Sequence, residues 1–281
     1  MKILCCQIDI EGVTARSAME DHQARISNLI RTSCSNESVD LVLLPELSAI
    51  EYSTPAFDNL AELATDFDDW LVDSMVELAR EINTPICFGM PRRDNKNLHI
   101  SQVYINSDGV VDGYYDKVHV AQLGASPEKH YFTPGDHVTV IELAGYRIGI
   151  IICYDMRFGD YISTMVREHK LDIMLHPVAF YQDGTFASWR SFVCTRALEN
   201  QIYWLSLNRA GEGWGHSKIC PPWFEHENEV IELNDSEALK VVEIDRELLQ
   251  YAEDNYPLKR DRLHDYSSII YTQSDSDTPN N

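Results

Sequence analysis

The sequence has no apolar run approaching the ~20 residues of a membrane-spanning helix. Its longest runs, such as Ile148 to Cys153, are strand-sized. It is also poor in positive charge. Among 281 residues, 23 Lys+Arg face 45 Asp+Glu, a formal net charge of −22. Phosphate backbones and anionic membranes are held by clustered Lys and Arg, so no nucleic-acid and no membrane partner is expected. There is no glycine-rich phosphate loop, no H-E-x-x-H and no paired Cys/His spacing, so neither a metal nor an organic cofactor is expected. The seven cysteines are scattered, odd in number and never spaced C-x-x-C, which argues against a disulfide framework. The stretch Met1 to Asp9 turns polar too early for a secretory signal. A cytoplasmic protein with reduced thiols is expected, and that draws attention to any cysteine placed like a nucleophile.

What is present is ordinary globular composition, with 44% hydrophobic and 24% charged residues. Strand-like and helix-like segments alternate. Lys2 to Ile10 reads as a strand. Thr14 to Cys34 reads as a helix with Ala18, Ile26, Leu29 and Ile30 facing inward. Val39 to Leu44 is a short continuous apolar run, as in a strand buried on both faces. A helix is expected over Asp66 to Ile82, then strands over Pro85 to Met90, His99 to Asn106 and Val110 to Tyr115. The last two are joined at an Asp-Gly turn. Val138 to Leu143 and Arg147 to Cys153 form a second expected hairpin. Helices over Tyr161 to His169 and Phe186 to Asn200 alternate with strands over Leu171 to Leu175 and Ile202 to Leu207. Three short strands and a short helix, Glu247 to Glu253, follow. No repeat or linker divides the chain. The reading is one domain over 1–266, with a tail over 267–281 that frays from Gln273 onward.

Three segments share a form: an apolar strand that stops at a reactive polar residue. They end at Glu46, Lys117 and Cys153. Ligands of α/β sheets gather outside the carboxyl ends of strands, so an acid, a cation and a thiol could converge there. The trio is chemically coherent. A thiol must lose its proton to attack, a carboxylate can take and return that proton, and an ammonium can hold an oxyanion. Cys153 also precedes an expected helix, whose dipole would favour thiolate. Each residue alone has a plainer explanation. Cysteine is often a small buried hydrophobe, and Glu46 and Lys117 could be solvated strand ends.

Leu43-Leu44-Pro45-Glu46, Tyr115-Asp116-Lys117-Val118-His119, Ile152-Cys153-Tyr154-Asp155-Met156-Arg157-Phe158 and Arg196-Ala197-Leu198-Glu199-Asn200-Gln201 occur in that order. With Phe132-Thr133-Pro134-Gly135-Asp136, Asn208-Arg209-Ala210-Gly211 and Gly215-His216-Ser217-Lys218-Ile219, they make the chain resemble the nitrilase superfamily of carbon–nitrogen hydrolases. The likeness spans nearly its whole length. It implies an α/β fold, a four-layer α-β-β-α sandwich, assembled as a homodimer or higher homo-oligomer. It implies Glu46 as general base, Lys117 as oxyanion-holding cation and Cys153 as nucleophile. Glu128 matches a second acidic residue that holds the lysine and assists the substrate, with a plain loop carboxylate in Ser126-Pro127-Glu128-Lys129 as the alternative. The backbone N–H of Tyr154 would help hold the oxyanion.

Arg157 is a candidate for a substrate carboxylate, with a tie to Asp155 or a loop as the alternative. His176 either lines the pocket or is a structural, oriented histidine. Phe180, Tyr181, Phe186 and Trp189 form either an aromatic pocket wall or core packing. Cys153-Tyr154-Asp155-Met156-Arg157-Phe158 is similar to the amidase-like branches, including omega-amidases and carbamoyl-amine hydrolases, and lacks the Trp-Glu usual in true nitrilases. The implied substrate is a small amide or carbamoyl-amine. Nitrile hydrolysis by the same trio and a catalytically silent binding protein remain the alternatives. Gly159-Asp160 and Pro221-Pro222-Trp223-Phe224 depart from the family pattern, and the second leaves open the shape of the pocket wall.

Overall fold

The computed structural model describes residues 1–122, 126–226, 229–263 and 269. The first half builds β1 (Lys2–Gln7), α1 (Arg16–Asn36), β2 (Leu41–Leu43), α2 (Thr54–Asp58), α3 (Leu60–Leu63), α4 (Trp70–Ile82), β3 (Ile86–Asp94), β4 (Asn97–Ile105) and β5 (Val111–Asp116). The second half builds β6 (Thr139–Leu143), β7 (Tyr146–Ile150), α5 (Gly159–His169), β8 (Ile173–Pro177), α6 (Phe186–Asn200), β9 (Tyr203–Leu207), β10 (Lys218–Cys220) and β11 (Ile231–Glu232). The last elements are β12 (Ala238–Glu243), α7 (Arg246–Asn255) and α8 (Leu258–Asp261). The tail expected over 267–281 lies outside the described residues, apart from Ile269.

These strands form two six-stranded mixed sheets, ordered β12-β1-β2-β3-β4-β5 and β11-β10-β9-β8-β7-β6. Each has three parallel strands in its middle, β1-β2-β3 in one and β7-β8-β9 in the other. Each parallel trio is flanked by one antiparallel strand on one side and two on the other. Helices connect the parallel strands, as such crossovers require. With helices flanking both sheets, the layers are those of an α-β-β-α sandwich. Strands β2, β8 and β9 are buried at every position, which is why they are largely apolar. At about 1.5–3 kcal/mol for each large apolar side chain, these strands supply much of the burial that holds the layers together.

Two helices differ from expectation. α1 buries Met19, His22, Gln23, Ile26, Ser27 and Ile30, leaving Ala18 and Leu29 at the margin of its inner face. Polar residues occupy part of that face because they have partners: His22 bonds the Ser48 carbonyl at 3.0 Å, and Gln23 reaches Ser27. α4 begins at Trp70 rather than Asp66. The Trp223 segment that departs from the family pattern stacks on Tyr256 at 3.7 Å between ring centroids, away from the cavity described below.

The direction of the strands decides where the chemistry lies. β5 runs the same way as β2, because two antiparallel steps separate it from the parallel trio. The carboxyl ends of β2 and β5 therefore open on one edge of their sheet. The carboxyl ends of β7, β8 and β9 open together in the other. A parallel bridge from Asp9 to Ala210 joins the two edges.

Candidate active site

Glu46 follows β2 on a tight bend. Leu47 has φ of 48°, and the bend lies against Gly89 of β3. A Cβ on Gly89 would overlap the Pro45 carbonyl and the Leu47 amide, so only glycine lets the bend approach this closely. Arg209 fastens the same bend, donating to the carbonyls of Leu47 (3.2 Å) and Ile50 (2.8 Å). Lys117 follows β5 and is the bridging group of the site. Its Nζ donates to Glu46 Oε1 at 2.8 Å and to Glu128 Oε1 at 2.7 Å, and all three side chains are fully buried. The remaining oxygens are also satisfied. Glu46 Oε2 accepts the Ala179 N–H at 2.7 Å, and Glu128 Oε2 accepts the Ala121 N–H at 2.6 Å. Tyr52 donates its hydroxyl to Glu128 Oε1 at 2.6 Å.

Cys153 opens a five-residue 3-10 turn, Cys153–Arg157, and stands at φ 45°. A side chain other than glycine rarely adopts that conformation without support. The support is visible. Trp204 donates its indole N–H to His176 Nδ1 at 3.1 Å, which leaves His176 Nε2 to donate to the Cys153 carbonyl at 2.9 Å. Asp155 closes the turn, accepting the Ile152 N–H at 3.0 Å, the Tyr115 hydroxyl at 2.8 Å and the His119 N–H at 2.8 Å. Arg196 of α6 donates to the Met156 carbonyl at 2.9 Å.

Burial sets the electrostatics. The Glu46 carboxyl is pushed up by desolvation, and Lys117 only partly offsets this. Burial pulls the Lys117 ammonium down, but Glu128 and Glu46 outweigh it and raise it well above its ordinary value. The Cys153 thiol is pushed up by burial and then by the Glu46 charge. This corrects the expectation of a dipole-stabilised thiolate. The turn after Cys153 is a single short 3-10 turn, and carboxylates stand nearby. The resting group is a thiol beside a carboxyl of raised basicity, so any attack by its sulfur would require removal of that proton.

Cys153 faces a cavity of about 230 Å³ whose wall includes Glu128, Tyr154, Ala179, Phe180, Tyr181 and Trp214. Arg157 is part of the wall. It does not tie Asp155; it donates to Ser188 Oγ at 3.2 Å between the rings of Phe180 and Phe192, and its buried Nε has no partner among the described residues. His176 is not at the cavity wall. It is fully buried behind Cys153 with both ring nitrogens engaged, so it does not meet a substrate there. Burial holds it neutral, its pKa lowered to about 4. The four aromatics divide. Phe180 and Tyr181 line the cavity, while Trp189 is buried and stacks on Phe180, with Phe186 packed against it. Tyr52, Asp155 and Arg196 were not anticipated as site residues. Asp155 and Arg196 sit within recognised motifs, and Tyr52 carries no local signal. No group of three His, Cys, Asp or Glu able to hold a metal ion occurs among the described residues.

With this geometry in place, comparison with known proteins defines the class. The family model described as carbon-nitrogen hydrolase matches residues 5–253, and the chain belongs to that family. Among its relatives, omega-amidase NIT2 of Xenopus tropicalis is 26% identical over 257 residues, covering 87% of this chain and 90% of that protein. The chloroplastic omega-amidase of Arabidopsis thaliana is 26% identical over 279 residues, covering 93% of this chain and 74% of that one. The fold is shared with Nit3 of Saccharomyces cerevisiae, a nitrilase-superfamily member, at a TM-score of 0.80 and 23% identity, over 92% and 94% of the two chains. It is shared also with an amidase from Nesterenkonia sp. AN1 in complex with acrylamide, at a TM-score of 0.74 and 21% identity, over 89% and 93%.

Proposed function

We propose that the protein hydrolyses a small amide or carbamoyl-amine through a thioester on Cys153. The observation that carries this reading is the fully buried row Glu46–Lys117–Glu128 beside a cysteine that opens onto a cavity. Glu46 takes the Cys153 proton as Sγ attacks the carbonyl carbon. The carbonyl oxygen becomes an oxyanion, held by the Lys117 ammonium and the Tyr154 N–H. Glu46 returns its proton to the leaving nitrogen, the C–N bond breaks, and ammonia or an amine departs. Water then gives a proton to Glu46 and attacks the thioester. The acid is released, and the proton returns to Cys153. Glu128 keeps Lys117 charged and fixed throughout. Arg157, which lines the cavity, would meet a carboxylate at the far end of the substrate. Assembly into a homodimer or larger homo-oligomer belongs to the same reading and is read by sedimentation.

The test is ammonia release across small amides, carbamoyl-amines and nitriles, with Cys153→Ala as control. Turnover of amides or carbamoyl-amines that disappears in the variant supports the reading. Turnover that survives in Cys153→Ala refutes the nucleophile. Ammonia from nitriles alone refutes the substrate class.

A further inference from the structure

A second pair of reactive groups lies outside the catalytic cavity, where α6 packs on β10. Cys194 of α6 and Cys220 of β10 place their sulfurs 3.2 Å apart. A disulfide requires about 2.05 Å, so the two atoms need to close by only roughly 1.1 Å. They are not equivalent. Cys194 is half-buried and Cys220 is buried. The two sulfurs share a hydrogen bond, and this bond, with further help from Lys218, lowers the Cys194 thiol to about 6. Cys220 is held protonated by the same bond and by burial. The other five thiols are all pushed up, with burial the first cause in each. One sulfur is therefore reachable and nucleophilic, and the second stands ready behind it. This arrangement makes a thiol selective for peroxide and a neighbour able to resolve it.

We propose that Cys194 and Cys220 are a peroxide-oxidisable dithiol that closes to a disulfide between α6 and β10. Cys194 thiolate attacks one oxygen of a hydroperoxide. The S–O bond forms as the O–O bond breaks, leaving Cys194 sulfenic acid and hydroxide or alkoxide. The Cys220 sulfur then attacks the sulfenic sulfur, the S–O bond breaks, and the hydroxyl leaves as water with the Cys220 proton. Two thiols are oxidised by two electrons, and the peroxide is reduced. A small dithiol reverses the reaction by exchange. The bond fastens α6, the helix that carries Ser188 against Arg157 and Arg196 against the Met156 carbonyl.

The test uses the full-length protein with Cys153→Ala, so that the catalytic thiol does not consume oxidant. It is treated with about one equivalent of hydrogen peroxide, alkylated and digested with trypsin. The expected product joins the peptides 191–196 and 219–240 with the loss of two hydrogens, and the free-thiol count falls by two. Dithiothreitol restores both thiols. Separately alkylated peptides, or Cys194 sulfinic acid beside free Cys220, would overturn the proposal. In Cys220→Ser, the Cys194 product stalls as a sulfenic acid that dimedone traps. An unmodified Cys194 in that variant also overturns it. The wild-type chain, analysed by the same linked peptide, keeps the test decisive should Cys220→Ser fail to fold.

Discussion

His176 donates a hydrogen bond to the carbonyl oxygen of Cys153 at 2.9 Å. The bond acts on the backbone of Cys153, not on its sulfur. Its direction is fixed from behind by Trp204, which takes up the other ring nitrogen. The unusual φ of 45° at Cys153 is thus held by a chain that begins in the core of the second sheet.

His176→Asn removes this support without leaving a large void. kcat is expected to fall about 100-fold with KM little changed, because a displacement near 1 Å at a reacting atom costs that much. Trp204→Phe, which frees the ring but keeps it present, is expected to lose only a few-fold. Steady-state kinetics on both variants check the order; equal losses would mean that the tautomer lock is not the point.

Glu128 bonds Lys117 directly, and Tyr52 in turn bonds Glu128. Glu128→Gln is expected to lower kcat about 100-fold, in the range for a misplaced oxyanion donor. Tyr52→Phe removes one hydrogen bond to a charged group and is expected to cost about tenfold. Circular dichroism should be unchanged in both. A Tyr52→Phe enzyme weaker than Glu128→Gln would contradict this ranking.

Gly89→Ala forces a Cβ into the backbone of the bend after Glu46. A destabilisation of about 2 kcal/mol or more is expected, typical of overpacking against atoms that cannot move aside. Glu46 shifts with the bend, so kcat falls together with the urea midpoint. Retention of wild-type stability would show that the bend is free to retreat.

Stability should fall as pH drops through the acid side of neutrality. Burial lowers both His22 and His176 to about 4, from an unfolded value near 6.5. Above that unfolded value neither state binds the proton. Between the two values only the unfolded chain does, so each histidine costs about 1.4 kcal/mol per pH unit over that window. Denaturant titrations at pH 7.5, 6.5 and 5.5 measure the slope, and His22→Gln should flatten it. A slope identical to wild type in that variant would remove His22 from the account.

Singly, Glu46, Lys117 and Cys153 had plainer explanations; together they were legible as a set because each ends a strand-like run, a pattern that is local. The parallel core strands were legible for the same reason. The β3–β4 connection was not. Its tip runs through Arg92, Arg93, Asp94, Asn95 and Lys96, a polar stretch that resembles a loop yet pairs nearly to its end, turning at Asn95 with φ of 55°. Helices α2 and α3 span five and four residues, too short for a 3.6-residue period to show. Tyr52 lies 76 residues from Glu128, and nothing near either residue announces their contact. His176 followed a buried strand, as a pocket residue would; only the positions of Trp204 and the Cys153 carbonyl reveal which way its ring is used. The acidity of Cys153 was misjudged because helix-dipole reasoning counts neighbours along the chain, whereas desolvation and Glu46 act through space.

The two sheets divide the groups of the proposed mechanism between them. Glu46 and Lys117 hang from the first, and Cys153 and the Ala179 amide hang from the second. The first sheet is itself completed by β12, which returns from the far end of the chain to pair with β1. Neither half of the polypeptide therefore holds all of these groups. During refolding, helices and hairpins can form while Glu46 and Cys153 are still strangers, so turnover by the proposed mechanism would time the closing of the sandwich and trail the return of secondary structure.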